Sequence, residues 1–295
     1  MATEWEGKSR GTVFGYRIFV FFMQKFGVVS AYLILCFVAA YYCLFAFDSS
    51  KSIYYYFRKR RGYSVLKSLL SIYRNYYVFG KTIIDKVAIS SGLRDYFTYQ
   101  FDGVELLEEA LKKKKGGILI SAHVGNFEIA EHFFGELEGY ASINLLTTDV
   151  EHTAIKEYLE SVTGKSKIKL ILIREDLSHI FEINAALARN ELVCITGDRY
   201  VKGAKFLTHD LFGEKAQFPA GPFVLASRLR VPVLFVYVMK ETNRHYHLYT
   251  RKAESKHRDA DGLLEEYTKS LTWILEKYPL QWFNYFDFWK SENDS

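Results

Sequence analysis

Long apolar runs set the N-terminal third of the chain apart from the rest. Residues 28–47 form a run of 20 residues without a charge. At about 1.5 Å per residue, a helix of this length spans the roughly 30 Å hydrocarbon core of a bilayer. Residues 13–26 mix aromatic side chains with Arg17 and Lys25, which is typical of a helix lying in a membrane interface. The pattern predicts a membrane-associated helical extension; a buried core helix is the alternative for residues 28–47.

A run of tyrosine and phenylalanine over residues 54–57 leads into four basic residues at 58–61. Aromatic belts and basic flanks border transmembrane segments in this way. Aromatic and basic side chains also combine in nucleic-acid-binding surfaces, which is the alternative interpretation. The preceding apolar run is too long for a cleavable signal peptide, and no small-residue cleavage site follows it. Because both flanks of the run are basic, its orientation in a membrane stays open.

From about residue 96 the pattern changes to short apolar stretches separated by helix-like segments. Short apolar strands that alternate with helices predict an α/β fold, with a mostly parallel central sheet covered by helices. We therefore divide the chain into an N-terminal membrane-anchoring helical region, residues 1–95, and an α/β domain, residues 96–295. The predicted strands are 118–120, 142–146, 169–173, 192–196, 231–238 and 245–250, and the predicted helices are 104–114, 127–137, 151–162, 177–188 and 221–228.

Composition and charge support this division. Hydrophobic residues make up 49% of the chain and aromatic residues 17%, more than one core of this size needs, so a second apolar environment is expected. Residues 1–67 hold ten Lys and Arg side chains against three acidic ones, a net charge of +7, whereas the whole chain carries +5. The basicity belongs to the extension, which argues against nucleic acid as a partner of the α/β domain.

Several motifs that could have carried chemistry lack their necessary context. Gly80-Lys81-Thr82 resembles the end of a phosphate-binding loop, but no strand precedes it and the first glycine is missing. His245 and His247 share a strand face without a third metal ligand suggested by spacing. No GxSxG and no paired CxxC occurs. We therefore expect neither a metal nor a bound cofactor.

The strongest chemical signal lies just after the first buried strand of the α/β domain. His123 follows the strand, in a short turn before a predicted helix, and Glu128 comes five residues later. Reactive groups of parallel sheets lie at this end of the strands. A strand-turn-helix path can return the Glu128 carboxylate to the imidazole, so that His123 acts as a general base and Glu128 orients it. The alternative is a turn histidine beside a solvated glutamate.

The His-x4-Glu spacing resembles the defining motif of the lysophospholipid acyltransferase superfamily, and the chain is similar to its branch of late lipid A (lauroyl and myristoyl) acyltransferases. Further blocks agree in order and spacing from the N-terminal apolar run to Trp289. They are Ile173-Arg174, the stretch Glu191 to Arg199, the stretch Leu211 to Ala216, Pro219-Ala220-Gly221-Pro222, and Tyr278-Pro279-Leu280-Gln281-Trp282.

The resemblance implies a bacterial enzyme at the cytoplasmic face of the inner membrane. It implies that an acyl carrier protein thioester donates the acyl group, and that a lipid or glycolipid acceptor attacks it directly, without a covalent acyl-enzyme. It also suggests Asp198 as a partner of His123 besides Glu128. An arginine of the set would meet developing negative charge or an anionic group of the acceptor, or form an ion pair at a strand end. The residues expected to bind substrate are Asn126, Arg174, Arg199, Gly221 and Pro222.

The closing segment departs from the family pattern. Leu280 replaces an acid, and Asn284 and Asp287-Phe288 stand where basic residues are common. The acceptor is therefore open among a lipid A precursor, an aminoacyl lipid and a polyene pigment-like lipid. Two alternative functions remain at this stage. One is an acyl-CoA-dependent lysophospholipid or aminoacyl-lipid acyltransferase, and the other is a non-catalytic membrane lipid-binding scaffold.

Overall fold

The fold is taken from a computed structural model that describes residues 13–130, 142–147, 168–174, 176–199, 204–254 and 256–289. The α-helices in these residues are α1 (Val13–Phe26), α2 (Val28–Phe45), α3 (Phe47–Tyr55), α4 (Val65–Ala88), α5 (Val104–Lys112), α6 (His179–Ala188), α7 (Ala220–Arg228) and α8 (Ala260–Lys277). The strands are β1 (Thr98–Asp102), β2 (Gly117–Ser121), β3 (Ile143–Thr147), β4 (Lys169–Leu172), β5 (Leu192–Thr196), β6 (Phe206–Leu211), β7 (Glu214–Pro219), β8 (Val233–Lys240) and β9 (His245–Lys252).

Seven strands form one sheet in the order β1-β9-β8-β2-β5-β3-β4. Strands β8, β2, β5, β3 and β4 pair in parallel, β9 pairs antiparallel with β8, and β1 pairs in parallel with β9. Strand β2 lies at the centre and is buried throughout, as its apolar sequence predicts. The predicted α/β fold with a mostly parallel, helix-covered sheet is confirmed. Strands β6 and β7 form a separate hairpin.

Most predicted elements lie within a few residues of their observed bounds. Of the predicted helix 127–137, the described part holds a single 3-10 turn at Phe127–Ile129, and the predicted helix 151–162 lies outside the described residues. Helices α3, α4 and α8, strand β1 and the β6–β7 hairpin were not predicted. Strand β1 is an edge strand with no buried position, so its sequence lacks the apolar signal on which strand prediction depends.

The aromatic and basic run at residues 54–61 contributes to the core. Tyr56 and Phe57 are buried, and the Tyr56 ring packs edge-on against Trp282, with 5.1 Å between ring centroids. Arg60 forms an ion pair with Glu214 at 2.6 Å. The prediction of an aromatic membrane belt here is therefore wrong for Tyr56 and Phe57, because the C-terminal segment covers the Tyr56 ring and Tyr63 stacks on Phe57.

A buried polar cluster joins the N-terminal helices to the sheet; we call it the Asp85 cluster. Asp85 on α4 accepts hydrogen bonds from Tyr32 on α2 and from Tyr246 on β9, and it forms an ion pair with Lys240 at the end of β8. Burial raises the pKa of the Asp85 carboxyl, and the Lys240 ammonium opposes that shift. Because a buried charge is costly without its partner, this cluster fixes α2 and α4 against the sheet.

Candidate active site

The loop after β2 is held from both sides by backbone hydrogen bonds. The Phe283 N–H donates to the carbonyl oxygen of His123 at 2.9 Å, and the Gly125 N–H donates to Gln281 at 2.9 Å. On the sheet side, the Asn126 N–H donates to the carbonyl oxygen of Val238 in β8 at 2.7 Å. The C-terminal segment after α8 and the end of β8 therefore fix the path of the chain through His123.

Gly125 makes this path possible. Its φ is +61°, and a Cβ built there would lie 2.0 Å from the carbonyl oxygen of Val238. A side chain at this position would meet both the steric penalty of the left-handed region and a backbone atom that cannot move without disturbing β8. The loop needs glycine two residues after the histidine, so the close turn at the strand end is built into the sequence.

His123 and Asp198 come together because β2 and β5 are neighbours and parallel. Ser121 pairs with Thr196 in the sheet register, which places both residues just beyond the same edge. His123 Nδ1 lies 2.7 Å from Asp198 Oδ1, and the backbone N–H of His123 donates to Asp198 Oδ2 at 2.9 Å. Asp198 is 1% exposed, whereas the imidazole is 30% exposed. The carboxylate is thus buried beneath a histidine that solvent or a substrate can reach.

The environment of Asp198 keeps its carboxyl group ionised. Burial by itself would raise the pKa of Asp198, but the charge of His123 and its hydrogen bonds, together with the charge of Arg199, lower the pKa overall. An ionised carboxylate only accepts hydrogen bonds, so Nδ1 of His123 must carry the proton. In the neutral imidazole, Nε2 then has the lone pair. This is the tautomer of the neutral imidazole that a general base requires.

Trp282 completes the Asp198 environment and was not assigned a site role from the sequence. Its indole N–H donates to Asp198 Oδ2 at 3.2 Å, and Trp282 is 3% exposed. An isolated β-bridge pairs it with Val124 in the histidine loop. The Tyr278 to Trp282 block was a family signal, but which tryptophan atom meets which carboxylate depends on the fold.

Two residues expected to bind substrate lie behind the histidine loop, where Asn126 is buried and Arg199 is half-buried. The Arg199 guanidinium donates to the carbonyl oxygen of Phe283 at 2.6 Å, so it holds the C-terminal segment. The Asn126 side-chain amide donates to the carbonyl oxygen of Thr82 on α4 at 2.9 Å and to the Tyr246 hydroxyl at 3.4 Å. In this structure both side chains support the loop and its surroundings.

Arg174 lies on the same edge of the sheet but not beside His123. It follows β4, three strands from β2, which corresponds to about 14 Å at the usual strand spacing. Its side chain is 54% exposed, with Glu182 at 3.8 Å. A half-exposed guanidinium at this distance can meet a large ligand that extends along the sheet edge.

Gly221 and Pro222 occupy the first turn of α7, where proline is favoured. The next residue, Phe223, packs close to Gly197: a Cβ on that glycine would lie 3.1 Å from the Phe223 ring. The start of α7 is therefore near the end of β5 and Asp198. The backbone of Glu128 lies in the 3-10 turn at Phe127–Ile129, and its side chain is outside the described part of the chain.

The two strand histidines lie near the same acid. Both His245 and His247 approach Glu241, at 3.9 and 3.2 Å, and the His247 ring stacks on Tyr249. Among the residues that the structure describes, no group of three or more His, Cys, Asp or Glu side chains is placed to hold a metal ion.

A histidine held by a buried carboxylate at the carboxyl edge of a parallel sheet is an arrangement that can support base-assisted group transfer. Comparison with known proteins gives the family. The model for bacterial lipid A biosynthesis acyltransferases matches residues 76–291. Because this match covers most of the chain, the protein belongs to that family, and it is an acyltransferase that acts on lipid. No curated protein sequence matches the chain.

Proposed function

We propose that the protein transfers a fatty acyl group from an acyl carrier protein thioester to a hydroxyl or amine of a lipid or glycolipid acceptor, with His123 as the general base. One observation carries the proposal: the 2.7 Å contact between His123 Nδ1 and the buried Asp198 carboxylate. It orients the imidazole and sets its tautomer. The membrane-associated character of the family, and the acyl carrier protein donor implied by the sequence resemblance, supply the rest.

The chemistry follows from the tautomer. Nε2 of His123 takes the proton of the acceptor hydroxyl as its oxygen attacks the thioester carbonyl carbon. The new C–O bond forms, the C–S bond breaks, and the proton held by the imidazolium passes to the departing thiolate. Asp198 stays ionised and stabilises the imidazolium while it exists, as the buried carboxylate of a catalytic triad does. No covalent acyl-enzyme is needed.

The remaining predicted residues receive roles in keeping with their positions. Glu128 is proposed as a second carboxylate for the imidazole, because the short turn places it five residues after His123. Arg174, half-exposed on the same sheet edge, is proposed to meet an anionic group of the acceptor. Arg199, Asn126, Gly221 and Pro222 are proposed to shape the substrate site by fixing its walls.

A small aromatic cavity lies beside Trp282, between α3 and the C-terminal segment, and its lining includes Ile53, Tyr56, Trp282, Phe288 and Trp289. Its accessible volume is about 10 Å³, room for about one water molecule, so an acyl chain does not fit in it. We propose the cytoplasmic face of the bacterial inner membrane as the location, since the donor is a cytoplasmic protein and the acceptor a membrane lipid.

The proposal is tested by release of free thiol from acylated acyl carrier protein in the presence of bacterial lipid extract. We expect release that depends on the extract and that falls by about 10² to 10⁴ in His123→Ala, the usual contribution of a general base. His257→Ala is the matched control, because His257 is exposed in the loop between β9 and α8. It should retain full activity.

Unchanged thiol release by His123→Ala would refute the role of the histidine. A preference for acyl-CoA in a donor competition would instead replace the carrier protein with CoA and leave the base assignment in place. Absence of release with either donor, in folded protein, would favour a lipid-binding scaffold.

A further inference from the structure

Helix α2 has the length and composition to cross a membrane, but its two faces differ. One stripe is buried in the protein: Val28, Ala31, Tyr32, Leu35 and Ala39. The opposite face is apolar and exposed, and it includes Val29, Leu33, Phe37, Tyr41 and Leu44. Phe37 is 80% exposed. A helix with one face packed on the protein and an exposed apolar face on the other side needs a second apolar partner.

The buried face is fastened to the α/β domain near its N-terminal end. The Tyr32 hydroxyl donates to Asp85 and reaches the carbonyl oxygen of Asn243, in the turn between β8 and β9, at 3.4 Å. Lys240 of the same cluster lies at the end of β8. Next along the helix, Leu35 packs so closely on α4 that a Cβ at Gly80 would lie 2.2 Å from it. This end of α2 cannot leave the domain without separating the Asp85 cluster.

The other end of α2 is also held against the domain. The Tyr42 and Tyr76 rings pack with centroids 5.9 Å apart, and Tyr76 packs on Tyr285 of the C-terminal segment at 5.4 Å. Ser50, in the helix that follows, lies 3.2 Å from the Tyr76 hydroxyl. An 18-residue helix is about 27 Å long, so its contacts with the domain extend over most of the thickness that a membrane-spanning helix would occupy.

These contacts are incompatible with α2 crossing a bilayer. A crossing helix would carry its domain partners through the hydrocarbon core, including the Lys240 and Asp85 charges and the open turn at Asn243. Each charge or unpaired backbone group would cost several kcal/mol there. The helix is therefore apolar for a reason other than spanning.

The exposed apolar face continues onto the first turns of α4, where Leu66, Leu69 and Leu70 are each more than half exposed. These leucines lie just before Tyr73, whose hydroxyl contacts the α2 backbone at Cys36. The helical region that carries this surface is strongly positive: residues 13–89 hold eleven Lys and Arg against two acidic side chains. Apolar side chains within a basic surround match one leaflet that contains anionic lipid.

We propose that α2 is an in-plane anchor. It lies parallel to the membrane surface with its outer face and the α4 leucines in the hydrocarbon of one leaflet, while its inner face stays packed on the α/β domain. The Asp85 cluster also reaches the active-site loop, because Asn126 donates to Tyr246. The anchor thus fixes the height of the active site above a single leaflet. This inference does not depend on which residue is the catalytic base.

The depth of α2 can be measured directly. In full-length protein with Cys36 and Cys43 replaced by alanine, one added cysteine at Val29, Phe37 or Leu44 would carry an environment-sensitive fluorophore, and the buried Cys194 stays in place. Lys269→Cys, on the exposed side of α8, is the aqueous control. The protein is bound to vesicles of phosphatidylethanolamine and phosphatidylglycerol that carry spin labels at two depths. Quenching of the fluorophore by these labels measures its depth in the bilayer. We expect all three α2 positions at the same shallow depth, roughly 5 to 10 Å below the headgroups, and Lys269→Cys in water.

A spanning helix would give a different result. At about 1.5 Å per residue, Val29 and Leu44 would lie near opposite surfaces and Phe37 would lie roughly 10 to 12 Å deeper than either; such a maximum at Phe37 would overturn the proposal. So would an aqueous environment at all three positions. Unimpaired thiol release in the labelled variants shows that the domain is folded. Loss of thiol release in His123→Ala tests the proposed function, and its outcome does not change the depth of α2.

Sidedness provides an independent test. The same cysteine background carries either Lys25→Cys, before α2, or Lys269→Cys, in the α/β domain. We expect a membrane-impermeant maleimide to label both positions from the same side of the membrane, that is, both in inverted membrane vesicles or both in intact spheroplasts. Reaction of the two positions in opposite preparations would mean that α2 crosses the bilayer.

Discussion

Replacing Asp198 by asparagine separates the chemical role of the carboxylate from its structural role. Asp198 accepts three hydrogen bonds: one from His123 Nδ1 at Oδ1, and two at Oδ2, from the His123 backbone N–H and the Trp282 indole. Asparagine has a single oxygen. If that oxygen takes the Oδ2 position, it keeps two donors, and its NH₂ group then faces Nδ1. Nδ1 must become an acceptor, so the proton moves to Nε2 and the imidazole can no longer act as a base.

The expected magnitudes follow from this count. One of three hydrogen bonds is reversed rather than lost, so the free energy of unfolding should fall by only about 1 to 2 kcal/mol. The rate should fall by roughly 10² to 10⁴, which is about 3 to 5 kcal/mol of activation free energy. A large loss of activity with a small loss of stability is the result that identifies the tautomer effect.

Thiol release from acylated carrier protein gives the rate, and thermal unfolding gives the stability. ¹⁵N NMR of the His123 ring should show a proton on Nδ1 in the wild type and on Nε2 in Asp198→Asn. Asp210→Asn is the matched control, because Asp210 is exposed and pairs only loosely with Lys215, at 3.6 Å. Near-normal activity of Asp198→Asn, or an unchanged tautomer together with lost activity, would refute the reasoning.

Three further predictions concern the loop, the sheet and the buried pair. Gly125→Ala should destabilise the protein by more than about 3 kcal/mol and abolish thiol release, whereas Gly213→Ala, also at positive φ but with open space around it, should cost only about 1 to 2 kcal/mol in thermal unfolding. Arg189 and Lys169 lower the pKa of Glu191 from 4.5 to about 2, so its stabilisation is present above about pH 4.5 and is lost as the pH falls through about 2. Glu191→Gln should therefore reduce the free energy of unfolding by about 2 kcal/mol at pH 7 and much less near pH 2 in urea titrations. Lys240→Met should lower the free energy of unfolding by about 3 to 5 kcal/mol, because Asp85 is left buried without its cation. Adding Asp85→Leu should restore most of that loss. Equal melting temperatures of the single and double variants would contradict this prediction.

Much of the fold and part of the site were readable before the structure. Strand β5 was predicted at its observed bounds, and β2, β3, β4, α6 and α7 within two residues of theirs. Apolar runs and helical spacing are local, so they remain visible in a single sequence. The β6–β7 hairpin was missed because β6 mixes polar and apolar residues and has one buried position, so it gives no continuous apolar run. It packs on α8, where Thr268 contacts His209 at 2.9 Å, and that contact has no local signature.

The sequence by itself determined that a histidine and an aspartate follow buried strands, because strand ends and turns are marked by composition. It did not decide that β2 and β5 are neighbours, which brings His123 to Asp198. Nor did it reveal that Trp282 donates to that carboxylate from 84 positions away, or that Lys240 pairs with Asp85 across 155. Apolar composition predicted membrane association for α2 but did not decide between spanning and lying in an interface, and it left a buried core helix as the alternative. Only packing distinguishes these states, because the free energy of an apolar face depends on what covers it, and that is set by contacts between distant parts of the chain.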